Sequence, residues 1–116
     1  MTFLLEAHWL LAFLVVFCAI VFSWNSMGRR VMSVVVGLQF LAGLVVAGVM
    51  GAAHQTLPPV VFVHILCALG ALIAYPLARR LGDRPGGGAT GMMLGALGFV
   101  LVLVTFYLGL HMAGRV

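Results

Sequence analysis

The chain has 116 residues, of which 65% are hydrophobic and only 7% are charged, and its mean hydropathy is +1.27. Soluble domains carry about a quarter charged residues, so this composition excludes a soluble globular enzyme and also a disordered chain. The formal net charge of +4 comes from six scattered arginines and two carboxylates, which does not predict a nucleic-acid-binding surface. The class that remains is an integral membrane protein.

Four apolar stretches follow one another along the chain, and a membrane helix needs roughly 20 apolar residues. Spans are predicted at approximately residues 3–24, 31–52, 59–78 and 91–113. A polar turn separates the first two spans, and a Gly-rich linker separates the last two. Pro59 suits the first position of the third helix. The predicted fold is therefore all-α, an integral membrane four-helix transmembrane bundle formed by one domain of residues 1–116.

Arginine placement predicts the orientation of the bundle. Five arginines fall in or beside the first and third connections: Arg29, Arg30, Arg79, Arg80 and Arg84. Only Arg115 lies on the other side. By the positive-inside rule, the two arginine-rich connections are cytoplasmic and both termini are extracytoplasmic. The expected location is the inner (cytoplasmic) membrane of a prokaryotic cell.

Two histidines are the most informative residues. His8 and His64 each lie about five residues into a span, which is roughly 7–8 Å below the start of the helix. Their helices, spans one and three, run in the same direction and can lie diagonally across a bundle. Ionisable residues within a membrane usually face the bundle interior, and imidazole is a common ligand of heme iron. The pair therefore predicts a bis-His heme b near the outer leaflet, although each histidine alone could be an interfacial anchor.

The remaining polar residues are weaker candidates. His111, near the outer end of span four, could contact a heme propionate, replace a ligand or anchor the interface. His54 is predicted to be solvated in the outer loop, and Gln39 is predicted to form a hydrogen bond across helices. No two histidines have the short spacing that is typical of zinc or copper sites. Small residues recur every four positions of span two and predict a face for close helix packing: Gly43, Ala47 and Gly51.

A set of short motifs resembles a known family. The motifs are Glu6-Ala-His8 at the start of an apolar helix, the Arg29-Arg30 turn, Leu38-Gln39-Phe40-Leu41-Ala42-Gly43, Leu57-Pro58-Pro59 and then His64. Over roughly residues 3–80, this pattern resembles three consecutive helices of one four-helix half of heme A synthase.

The resemblance implies that His8 and His64 are the axial ligands of a heme iron. It also implies an oxidoreductase that oxidises a heme methyl group, whose product passes to a terminal oxidase. The catalytic half of that family has a glutamate one helical turn before its first histidine. Glu6, two residues before His8, is the candidate here. A half-size chain could pair into a homodimer that recreates eight helices.

Two functions of different classes follow. The first is a membrane heme-b-binding protein that acts in electron transfer or heme modification through His8 and His64, with His111 as a further cofactor contact. The alternative is a cofactor-free accessory or scaffold subunit of a larger membrane complex of respiratory type. A transporter component ranks last because the spans carry no paired charges. The expected partners are the lipid bilayer and a second copy or a larger complex, and no nucleic acid.

Overall fold

The computed structural model describes residues 2–52 and 58–112. It contains four helices: α1 (Thr2–Phe22), α2 (Ser26–Ala52), α3 (Pro59–Gly82) and α4 (Gly88–Met112). Each helix is long and apolar enough to cross a membrane. The predicted all-α bundle of four membrane-spanning helices is therefore confirmed.

The helices form a ring in chain order. α1 packs against α2 and α4, and α3 packs against the same two helices. The chain is elongated, with principal extents of 50 × 22 × 21 Å. The predicted diagonal placement of α1 and α3 is thus confirmed, and it puts the starts of these two helices at the same end of the bundle.

The first connection is shorter than the sequence predicts, because α2 begins at Ser26 rather than near residue 31. The side-chain Oδ1 of Asn25 accepts a 2.6 Å hydrogen bond from the backbone N–H of Gly28, which caps the new helix. A Cβ atom at Gly28 would lie 2.0 Å from the carbonyl oxygen of Phe22, so only glycine fits beside the end of α1. Arg29 and Arg30 consequently lie in the first turns of α2 and not in a loop.

The third helix is longer than predicted and continues to Gly82. Arg79 and Arg80 lie in its last turn, where a cation interacts favourably with the helix dipole. In the linker that follows, Asp83 Oδ1 accepts a 2.5 Å hydrogen bond from the hydroxyl of Ser26. This bond joins the α1–α2 turn to the α3–α4 linker at what we call the arginine end of the bundle.

The fully buried side chains lie toward the arginine end. Ala19, Met32 and Tyr75 are all 0% exposed, and so is Ser23. The Ser23 hydroxyl donates to the carbonyl oxygen of Ala19 at 2.6 Å and lies 2.8 Å from the Tyr75 hydroxyl. A Cβ atom at Gly98 would come within 3.0 Å of the Tyr75 ring. This half of the bundle is therefore a packed core with a satisfied polar pair.

Arg29 is the buried charge of this core, with only 6% of its surface exposed. Its guanidinium lies in a slot beside two glycines, since a Cβ at Gly82 or at Gly91 would be 3.1 Å from its Nη2 atom. The slot is next to the last turn of α3, and the carboxyl-terminal end of a helix carries partial negative charge. Arg29 thus fills the space beside α3 and α4, and its buried Nε has no hydrogen-bond partner among the described residues.

Candidate functional site

The opposite end of the bundle is hollow. A cavity of about 720 Å³ lies there, lined by residues of all four helices and by Pro58. Small-molecule and cofactor pockets usually measure about 300–1,000 Å³ and are mostly apolar, as this lining is. The bundle therefore packs at its arginine end and leaves room for a ligand at the other, which we call the histidine end.

The cavity brings His8 and His64 together. His8 projects from α1 and His64 from α3, and both half-buried side chains line the same space. The two histidines come from diagonal helices, α1 and α3, and share the lining of one cavity.

The ring of His64 is held by α4. Its Nδ1 lies 2.9 Å from the backbone carbonyl oxygen of Thr105. A carbonyl oxygen can only accept, so Nδ1 carries the proton and donates it, and Nε2 of the neutral ring keeps a free lone pair. A Cβ atom at Gly109 would be 3.3 Å from His64 Cε1, so this glycine lets the ring lie close to α4. A histidine fixed in this way has the usual arrangement of a metal-binding imidazole.

The ring of His8 lies against α2. A Cβ atom at Gly43 would be 3.1 Å from His8 Cε1, and Gln39 Nε2 donates a 2.8 Å hydrogen bond to the backbone carbonyl of His8. This bond between α1 and α2 confirms the predicted interhelical role of Gln39. Within the described part of the chain, His8 Nδ1 and Gln39 Oε1 are buried without a hydrogen-bond partner. Unmatched buried polar atoms cost about 1–3 kcal/mol each, so a ligand that meets them would recover this energy.

The other candidates lie farther from the two rings. Glu6 is exposed and lines the same cavity. His111 lies near the end of α4 with an exposed side chain and is not among the cavity-lining residues. His54 falls outside the described residues. The structure thus groups His8, His64, Gln39 and Glu6 around one cavity and does not bring His111 into it.

The small residues of α2 serve the cavity more than they serve helix packing. Gly43 and Ala47 line the cavity, and a Cβ atom at Gly51 would have nothing within 4 Å. Thr105 and Gly109, which hold the ring of His64, were not found from the sequence. Their four-residue spacing on α4 is the one available signal, and it does not differ from that of an ordinary packing face.

Aromatic side chains close the side of the site between α1 and α4. Trp9 and Phe13 meet edge to face with ring centroids 4.7 Å apart, and Phe13 meets Phe106 in the same way at 5.0 Å. Such edge-to-face pairs add to the stabilisation that burial provides. The cavity therefore has an aromatic wall across the α1–α4 interface.

The donors that the described residues bring to the cavity are two imidazoles, a set that could hold a heme. Among residues 2–52 and 58–112, no three His, Cys, Asp or Glu side chains are grouped as a metal site. Heme iron needs only two axial protein ligands, because the porphyrin supplies the other four. Comparison with known protein families, with curated proteins and with solved structures gave no match to this chain.

Proposed function

We propose that this chain is a membrane heme-b-binding protein that acts in electron transfer or heme modification, with His8 and His64 as the axial ligands. The observation that carries the proposal is the meeting of these two histidines, from diagonal helices, in one apolar cavity of about 720 Å³. The ring of His64, fixed by the carbonyl of Thr105, supports it further.

Each nearby residue has a definite task in this proposal. The backbone carbonyl of Thr105 accepts a hydrogen bond from the Nδ1–H of His64, which orients the ring and makes Nε2 more basic. Gln39 fixes the backbone of α1 at His8 through its 2.8 Å hydrogen bond. The walls of the site are mostly apolar. His8 and His64 would hold a heme, which would supply a one-electron iron couple, and a heme held by both histidines would favour electron transfer over oxygen activation.

The orientation and location of the site belong to the same proposal. With the arginine end in the cytoplasm of a prokaryotic cell, the histidine end faces the outer leaflet of the inner membrane. Glu6, at the cavity, is the candidate catalytic carboxylate if the chain modifies heme as its resemblance to heme A synthase implies. His111 is the candidate contact for a heme propionate from the rim.

The first test is a reduced-minus-oxidised visible spectrum of the gently purified protein. We expect a sharp low-spin b-type signal at about one equivalent per four-helix bundle. His8→Ala and His64→Ala should each abolish or strongly alter the signal, and His54→Ala, the matched control outside the described residues, should leave it unchanged. Two ligand variants with wild-type spectra, or no signal after reconstitution with hemin, would contradict the proposal.

A second measurement separates heme modification from electron transfer. After expression with heme O, extraction of the bound heme should give a hydroxylated or formylated product if the chain modifies heme. Recovery of unaltered heme, together with a reversible low-spin signal, assigns electron transfer instead.

The second candidate function is a cofactor-free accessory or scaffold subunit of a larger membrane complex. The observation that favours it is an open glycine surface on α2, where a Cβ atom at Gly48 or Gly51 would have nothing within 4 Å. Small residues allow close approach of another helix in a membrane. Absence of heme together with co-purifying membrane proteins would select this function.

A further inference from the structure

A second, smaller pocket lies on the outside of α3 near the arginine end. It has a volume of about 210 Å³ and is lined by Ile73, Pro76, Leu77, Arg79 and Arg80. The apolar residues come first along the helix and the two arginines follow. At 1.5 Å rise per residue, the lining spans roughly 10 Å along the helix axis. The pocket therefore passes from an apolar wall to a cationic rim within two helical turns.

Among the residues that the structure describes, no carboxylate forms an ion pair with the arginines of this rim. Asp83 is the one described carboxylate near it, and its Oδ1 accepts a hydrogen bond from Ser26. In the described part of the chain, Arg79 and Arg80 have no carboxylate partner. Arg29, by contrast, is buried inside the bundle and is not available to a ligand at this surface. The two arginines thus present unpaired guanidinium groups at the edge of an apolar groove.

We propose that this pocket binds an anionic phospholipid from the surrounding bilayer. Arg79 and Arg80 bind the phosphate, because guanidinium groups match phosphate oxygens with paired hydrogen bonds. Ile73 and Leu77, which are 57% and 40% exposed, contact the first methylene groups of an acyl chain. Basic pockets at the membrane interface bind anionic headgroups in this way.

The order of the lining residues selects a lipid over a free phosphate ion. A phospholipid places its chains toward the bilayer centre and its phosphate at the interface, and the lining changes from Ile73 to Arg80 in the same direction. A free phosphate would use the arginines and gain nothing from the apolar wall. The pocket volume suits a phosphate with its glycerol and the first methylenes, with the rest of each chain remaining in the bilayer.

Native mass spectrometry of the detergent-purified protein tests the proposal. The probes are phosphatidylglycerol and phosphatidylcholine with identical acyl chains, titrated separately, and inorganic phosphate as a competitor. We expect preferential retention of phosphatidylglycerol, and a loss of about fivefold in affinity for each arginine removed in Arg79→Gln and Arg80→Gln. Arg30→Gln and Arg84→Gln remove the same charge at the same end but outside the pocket, and they should change the affinity little.

Three results would overturn this assignment. Equal losses in all four arginine variants would mean a diffuse attraction of lipid to the positively charged end. Full displacement of the lipid by millimolar inorganic phosphate would mean a simple anion site. The third result comes from Leu77→Ser, which keeps both arginines and tests the apolar wall. This variant can be measured even if an arginine variant fails to fold. Unchanged phosphatidylglycerol affinity in Leu77→Ser would show that no acyl chain is bound there.

Discussion

Replacing Ser23 with alanine should destabilise the bundle more than replacing Tyr75 with phenylalanine. The Ser23 hydroxyl uses its only hydrogen to donate a 2.6 Å hydrogen bond to the carbonyl oxygen of Ala19. Tyr75 must therefore be the donor in the 2.8 Å bond between the two hydroxyls. In Tyr75→Phe, Ser23 keeps its bond to Ala19. In Ser23→Ala, the Tyr75 hydroxyl belongs to a fully buried side chain and loses its acceptor.

The two variants should therefore lose different amounts of unfolding free energy. A net intramolecular hydrogen bond is worth about 0.5–1.5 kcal/mol, and interhelical bonds in membranes average about 0.6 kcal/mol. A buried hydroxyl left without a partner costs about 1–3 kcal/mol. Ser23→Ala should therefore lower the free energy of unfolding by about 1 kcal/mol more than Tyr75→Phe. The double variant removes the unmatched hydroxyl and should be at least as stable as Ser23→Ala.

Reversible unfolding in mixed micelles, followed by far-ultraviolet circular dichroism, measures these free energies. Ser33→Ala is the matched control, because its hydroxyl donates within its own helix to the carbonyl of Arg29 at 2.9 Å. It should change the stability by no more than about 0.5 kcal/mol. A larger loss in Tyr75→Phe than in Ser23→Ala, or strictly additive losses in the double variant, would refute the assignment of donor and acceptor.

Two glycine substitutions give further predictions. Gly98→Ala should lower the free energy of unfolding by about 1–3 kcal/mol, because the new Cβ would be 3.0 Å from the Tyr75 ring. Gly48→Ala is the control, because its Cβ would have no atom within 4 Å, and it should leave the stability unchanged in the same assay. Gly43→Val should weaken hemin binding about tenfold or more, because its Cβ would already lie 3.1 Å from His8 Cε1. Equal hemin affinities of Gly43→Val and Gly48→Val in a spectroscopic titration would contradict this second prediction.

The pairing of His8 with His64 in one cavity could be predicted because it depends on helix direction. Short connections make successive membrane helices antiparallel, so residues near the starts of the first and third helices must lie at the same end. The hydrogen bond of Gln39 to another helix could be predicted for a related reason. A lone amide deep in an apolar span needs a partner, and another helix is the nearest source.

The details around the rings could not be predicted because the helices are apolar on nearly every side. Such helices carry no amphipathic pattern that indicates which face points inward. The direction of the His111 side chain therefore could not be read from the sequence, nor could the contact of Gly109 with the ring of His64. The partner of His64 Nδ1 is a backbone carbonyl, which every residue possesses, so Thr105 has no sequence signal. Gly43 has no side chain, so the sequence does not indicate whether it faces another helix or the ring of His8.

The bond between Ser26 and Asp83 has a consequence for how the chain acquires a ligand. It fastens the α1–α2 hairpin to the α3–α4 hairpin at the end where the fully buried side chains also lie. The other end is hollow, so fewer buried side chains join the two hairpins there. A separation of the hairpins at that end would leave the packed end in place, and entry of a ligand into the cavity would not require unfolding of the bundle.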